Sequence, residues 1–113
     1  MKKYIPVKEN THATHIVIEV KYNLGGFNCF TYAQEKRGYY LHVTPVKRET
    51  RGGYTTESFT AFSGYKQLLK EVTRKSAKAE AAAEAAAADI VDIMIERVCH
   101  KNGLEVALEV QTA

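Results

Sequence analysis

The chain has 113 residues, 26% of them charged and 45% hydrophobic, with a formal net charge of +3. That length suits one compact domain and excludes the large α/β barrels, which need on the order of 250 residues. The net charge hides a division. Residues 1–75 carry 13 basic side chains against 6 acidic ones (+7), whereas residues 76–113 carry 3 against 7 (−4). All 7 Tyr and all 4 Phe lie in the first part. One part is basic and aromatic; the other is acidic and rich in Ala. Such polarity is an argument about partners rather than about fold.

Met1-Lys2-Lys3 could open a signal peptide, but residues 4–10 supply no apolar core. No run approaches the length of a membrane span, because Asp89, Asp92 and Glu96 interrupt the best candidate. Two cysteines, Cys29 and Cys99, are too few for a disulfide framework or zinc cluster and read as reduced thiols of a cytoplasmic protein.

In chain order, residues 15–22 alternate, with Ile16, Ile18, Val20 and Tyr22 on one side, which predicts a strand. A turn at residues 23–26 leads into a β-favouring aromatic stretch, 27–34. Residues 35–38 turn again, and 39–47 form a third strand whose Pro45 marks an edge or an end. A charged hairpin tip at 47–53 precedes a strand at 54–63. Residues 65–74 fit both helical and strand spacing, and the strand is preferred. Ser76 is an N-cap candidate, residues 77–102 contain neither Gly nor Pro, and Gly103 suits the residue after the helix. The helix predicted over 77–102 buries Ala87, Val91, Met94, Ile95 and Val98 and turns Glu80, Glu84, Asp89, Asp92 and Glu96 to water. Finally, residues 104–110 alternate as a strand, or as a segment seeking an open sheet edge.

The expected fold is therefore a single α+β domain. Residues 14–75 form an antiparallel sheet of four to five strands, packed against one long C-terminal helix (76–102), with a final short strand at 104–110. A helix of ~26 residues is ~39 Å long, whereas a six-residue strand spans ~20 Å. On that comparison the helix projects, and a homodimer that buries it is expected.

For chemistry, the four histidines have no nucleophile or metal-ligand pattern around them. No phosphate-binding loop, serine elbow or HExxH string is present, so neither cofactor nor metal is expected. An enzyme would require His42 to meet an acid or thiol in space. A stronger constellation is aromatic and basic: Phe30, Tyr32, Tyr40 and Tyr54, framed by Lys36, Arg37, Lys47, Arg48 and Arg51. Stacking faces within a positive groove are what single-stranded nucleic acid binders use. The same aromatics also suit a buried sheet face, since Tyr and Phe favour strands.

A strand-rich part ending in one helix, with the basic aromatic segment KRGYYLHVTPVKRE at 36–49, resembles the Whirly and positive-cofactor type of single-stranded DNA-binding domain. That resemblance implies a curved sheet, a helix paired in a dimer and a DNA ligand; the strand at 104–110 departs from its pattern. The strings KYNLGGFNCFTY, KRGYYLHVTPVKRE and ESFTAFSGYK also resemble short uncharacterised proteins of Firmicutes phages and mobile elements. This second likeness implies an inhibitor of host defence, such as an anti-CRISPR protein, that acts by binding a host protein. The sequence expectation is thus a non-catalytic module for single-stranded DNA or RNA, with the defence inhibitor as the alternative.

Overall fold

The computed structural model describes residues 2–8, 10, 12–29, 31–60 and 62–107. Its elements are β1 (Lys2–Pro6), β2 (His15–Asn23), β3 (Gly26–Asn28), β4 (Ala33–Glu35), β5 (Gly38–Arg51), β6 (Tyr54–Phe59), β7 (Tyr65–Glu71) and α1 (Ala77–Asn102). The fold is α+β, as the sequence predicts. An antiparallel five-stranded sheet packs against the long helix, and β3–β4 forms a separate small hairpin.

β5 organises the sheet. Its 14 residues span ~46 Å at strand rise. β2 pairs with it along one side from Gly38 to Val46. On the other side β7 covers Gly38 to Val43, and β6 takes over from Val46 to Arg51. Pro45 therefore sits mid-strand and not at an edge. The Val46 carbonyl accepts from Thr14 N–H at 2.9 Å on the β2 side. Backbone groups alternate in direction along a strand, so the Pro45 nitrogen faces the gap between β7 and β6, where no ladder bond is lost.

Alternation sorts the side chains of β2 and β5. Ile16, Ile18 and Val20 meet Tyr39, Leu41 and Val43 on the helical side, where Ala79, Ala83, Ala87, Met94 and Val98 complete the core. The small Ala side chains let α1 lie close to the sheet. Its start is capped by Ser76, whose hydroxyl accepts from Ala79 N–H at 3.0 Å. Its end closes at Gly103, in the left-handed conformation (φ 65°).

Both ends of the helix are tied to the body. Ser76 and the Tyr39 hydroxyl exchange hydrogen bonds at 3.3 Å. Asn102 accepts from Ser63 N–H at 3.1 Å and donates to the Ser63 carbonyl at 2.8 Å. The expected projection is therefore corrected. The helix, ~39 Å long, is fastened to the body at both ends, and β5 is more than twice the length of an ordinary strand.

Three other elements differ from expectation. β1 was not predicted; KKYIP is too short and charged to stand out, yet it pairs with β2 from Lys2↔Glu19 to Pro6↔His15. The stretch expected as one strand is divided between β3 and β4, which pair antiparallel as a hairpin. After the helix, Val106 makes an isolated bridge to Val7, supported by Lys8 N–H to the Glu105 carbonyl at 2.7 Å and Ala107 N–H to the Pro6 carbonyl at 3.0 Å. Residues 108–110 of the expected final strand lie outside the described residues. No described helix is long and apolar enough to cross a membrane.

Candidate nucleic-acid interface

The residues singled out from sequence fall into two groups at opposite ends of β5. The first gathers around the β3–β4 hairpin. Asn28 Oδ1 accepts from Thr31 N–H at 3.4 Å within its tip. Tyr32 closes the tip at φ 55°, a left-handed backbone that side chains other than Gly rarely adopt, and its ring is 82% exposed. Phe27, 64% exposed, stands edge-on to it with ring centroids 6.4 Å apart. Phe30 lies outside the described residues.

Tyr40 does not belong to an exposed platform. It is only 6% exposed, its hydroxyl donates to the Lys36 carbonyl at 2.6 Å, and Lys66 Nζ stands 5.3 Å from its ring centre. Glu35 pairs with Lys66. These contacts seat the root of the hairpin over the sheet face that points away from the helix. A central strand is covered on both faces here, which alternation alone did not reveal.

Lys36 and Arg37 flank the hairpin root. Lys36 pairs with Glu71 at 3.5 Å in the open. Arg37 Nε donates to the Leu24 carbonyl at 2.9 Å, and its Nη1 donates to the Thr73 carbonyl at 3.4 Å, so it braces the turn against the end of β7. Lys21, Lys66, Lys70, Arg74 and Lys75 join them where β2 ends, β5 begins and β7 ends. This end of the sheet thus carries seven cations and the carboxylates Glu19, Glu35 and Glu71, with Lys75 turned to the helical side, over the Tyr22 ring and beside Glu80. Phe27 and five of these cations escaped sequence reasoning. The string KQLLKEVTRK at 66–75 carries the signal, but only the β5–β7 register brings it beside Lys36.

The second group lies on the β5–β6 arm, which turns tightly at Gly52-Gly53 (φ 56° and 84°). Tyr54 is 79% exposed opposite Arg51. The arm's cations face carboxylates: Lys47–Glu49 at 3.2 Å, Arg51–Glu49 at 3.8 Å and Arg48–Glu57 at 3.8 Å. Arg48 also lies over the Tyr4 ring, 3.9 Å from its centre, while the Tyr4 hydroxyl donates to Glu57 at 2.6 Å. Arg48 is thereby built into the sheet.

Two histidines line the face away from the helix. Burial pushes the His42 pKa below its ordinary 6.5, helped by Lys21 and Lys66 and opposed by Glu19 and Glu35. Its buried Nε2 has no hydrogen-bond partner among the described residues. Burial, then Arg48, lowers His15 likewise, against Glu57. A histidine with a lowered folded-state pKa binds its proton more readily in the unfolded chain. Its contribution to stability is complete above pH ~6.5 and is lost as pH falls through the window below. Melting temperature is expected to drop between pH 7.5 and 5.5, and less so in His42→Gln. Equal slopes in both proteins would remove His42 from the account.

Among the described residues, no three His, Cys, Asp or Glu side chains converge as a metal site requires. Cys29 is exposed, and Cys99 is buried with its thiol pKa pushed up by burial. Comparison of the chain with protein-family models, with curated proteins and with solved structures found no match in any of the three.

Proposed function

We propose that the protein is a non-catalytic module for single-stranded DNA or RNA, with its principal contacts at the β3–β4 end of the sheet. In this reading Tyr32 and Phe27 offer faces to bases, while Lys36, Lys70 and their neighbours engage phosphates. Tyr54 and Arg51 on the arm provide a second contact. Exposed ion pairs such as Lys36–Glu71 contribute ~0–1 kcal/mol, so exchanging a carboxylate for a phosphate costs little. The acidic helix lies on the other side of the sheet and repels the ligand there. A cytoplasmic setting and pairing of two copies through the helix belong to the same reading.

The observation that carries it is Tyr32. A left-handed backbone costs a non-Gly residue ~1–2 kcal/mol, and a ring so exposed recovers almost none of that by burial. Stacked on a base, the same ring is worth ~1–3 kcal/mol. Tyr32→Gly is therefore expected to raise stability by about 1 kcal/mol while weakening oligonucleotide binding roughly 5- to 100-fold. Urea titration and fluorescence anisotropy check the two halves. A variant that binds as tightly as the parent would end the stacking role.

One observation favours the protein-inhibitor alternative. Every residue of β6 is exposed, and among the described residues β5 is the one strand paired with it, so its outer edge offers a place for strand addition. Pull-down after nuclease treatment separates the readings. A stoichiometric protein that survives nuclease supports the inhibitor, and loss of all partners supports nucleic acid.

A further inference from the structure

Ile93 is 53% exposed, the one exposed large apolar side chain of α1 among the described residues. It stands at the rim of a groove between α1 and β7 floored by Leu69, Ile90 and Met94. Asp89 lies four residues before it and Arg97 four residues after. Both are exposed, and neither has an ion-pair partner among the described residues. Eight residues apart, ~12 Å along the axis, they cannot pair with each other.

Asp89, Ile93 and Arg97 form one row of the helix surface, of the i±4 kind that interdigitates when two helices cross at about −50°. A two-fold axis perpendicular to the helix and passing by Ile93 reverses the row in the second copy. Asp89 then faces the other copy's Arg97, twice, around the Ile93 contact. A parallel arrangement would oppose like charges. The row is thus self-complementary in one sense only, as an isologous interface requires. Asp92 and Glu96 lie off the row.

We infer that two copies of this chain associate through the Asp89–Ile93–Arg97 row of α1. The inference assigns a face to the helix pairing proposed above, and it does not depend on what the sheet binds. Sedimentation equilibrium of the full chain tests it, with helix content and melting followed by circular dichroism. The parent is expected at twice the 12.7 kDa chain mass. Asp89→Arg alone and Arg97→Asp alone should each weaken association at least about tenfold, because each creates two like-charge contacts. The double exchange, Asp89→Arg with Arg97→Asp, should restore it to within about threefold. A monomeric parent at tens of micromolar, single reversals without effect, or a double exchange that fails to rescue would each overturn the inference. A monomer that still binds oligonucleotide would refute only the dimer.

Discussion

Gly38→Ala is expected to cost about 3 kcal/mol or more and to loosen β7 from the sheet. Gly38 opens β5 between Asn23 of β2 and Glu71 of β7, so both flanks are occupied. A Cβ there would lie 2.1 Å from the Lys70 carbonyl oxygen and 2.9 Å from the Glu71 Cα. Both obstacles are backbone, which cannot rotate aside. The approach is this close because β7 bulges: Tyr39 pairs with Lys70 and Tyr40 with Leu68, leaving Leu69 without a partner and packed against the core. Gly52→Ala is the control. It has positive φ but nothing within 4 Å of the new Cβ, so about 1 kcal/mol is expected. Urea unfolding compares them, and equal losses would show that the crowding at Gly38 has been misjudged.

The largest functional effect is expected from reversing Lys36 and Lys70 together. Lys36 sits at the hairpin root, and Lys70 lies next to its partner Glu71 on β7. Neither is buried, so Lys36→Glu with Lys70→Glu should fold with little change in stability. Each lost phosphate contact lowers the single-strand salt slope by about 0.7, so the pair should reduce it by about 1.4. Repulsion by the new carboxylates deepens the loss at low salt. Reversing Lys47 should do less, because it lies on the arm, toward the other end of β5 from the hairpin that carries Tyr32 and Phe27. Equal effects at the two ends would place the ligand along the whole of β5 and not at the hairpin.

The parts of this fold written in local chemistry were legible. Ser76, the unbroken Ala-rich run and Gly103 mark the helix to the residue, and alternation exposes β2 and most of β5, whereas at β7 the spacing fits helix and strand alike. What depends on pairing was not. KKYIP becomes a strand only because β2 offers it an edge, and Pro45 is tolerated mid-strand only because β7 stops where β6 starts. The same limit shaped the candidate site. Alternation separated Tyr39 from Tyr40 without showing that the hairpin root covers Tyr40. The length of β5 divides the eight described candidates between two ends. Lys66 and Lys70 were passed over because their place beside Lys36 is a property of register, not of spacing. The charge division between sheet and helix, by contrast, needs only counting, and it remains the widest clue to a polyanionic ligand.

The most direct test is an anisotropy titration of labelled oligothymidylate with the parent and with Tyr32→Gly, at about 50 and 200 mM salt. Binding by the parent should be measurable at the lower salt and fall steeply at the higher. The variant should bind more weakly at both, with the same salt slope and no loss of stability. Absence of binding at low salt, or affinity indifferent to both salt and Tyr32, would contradict the account.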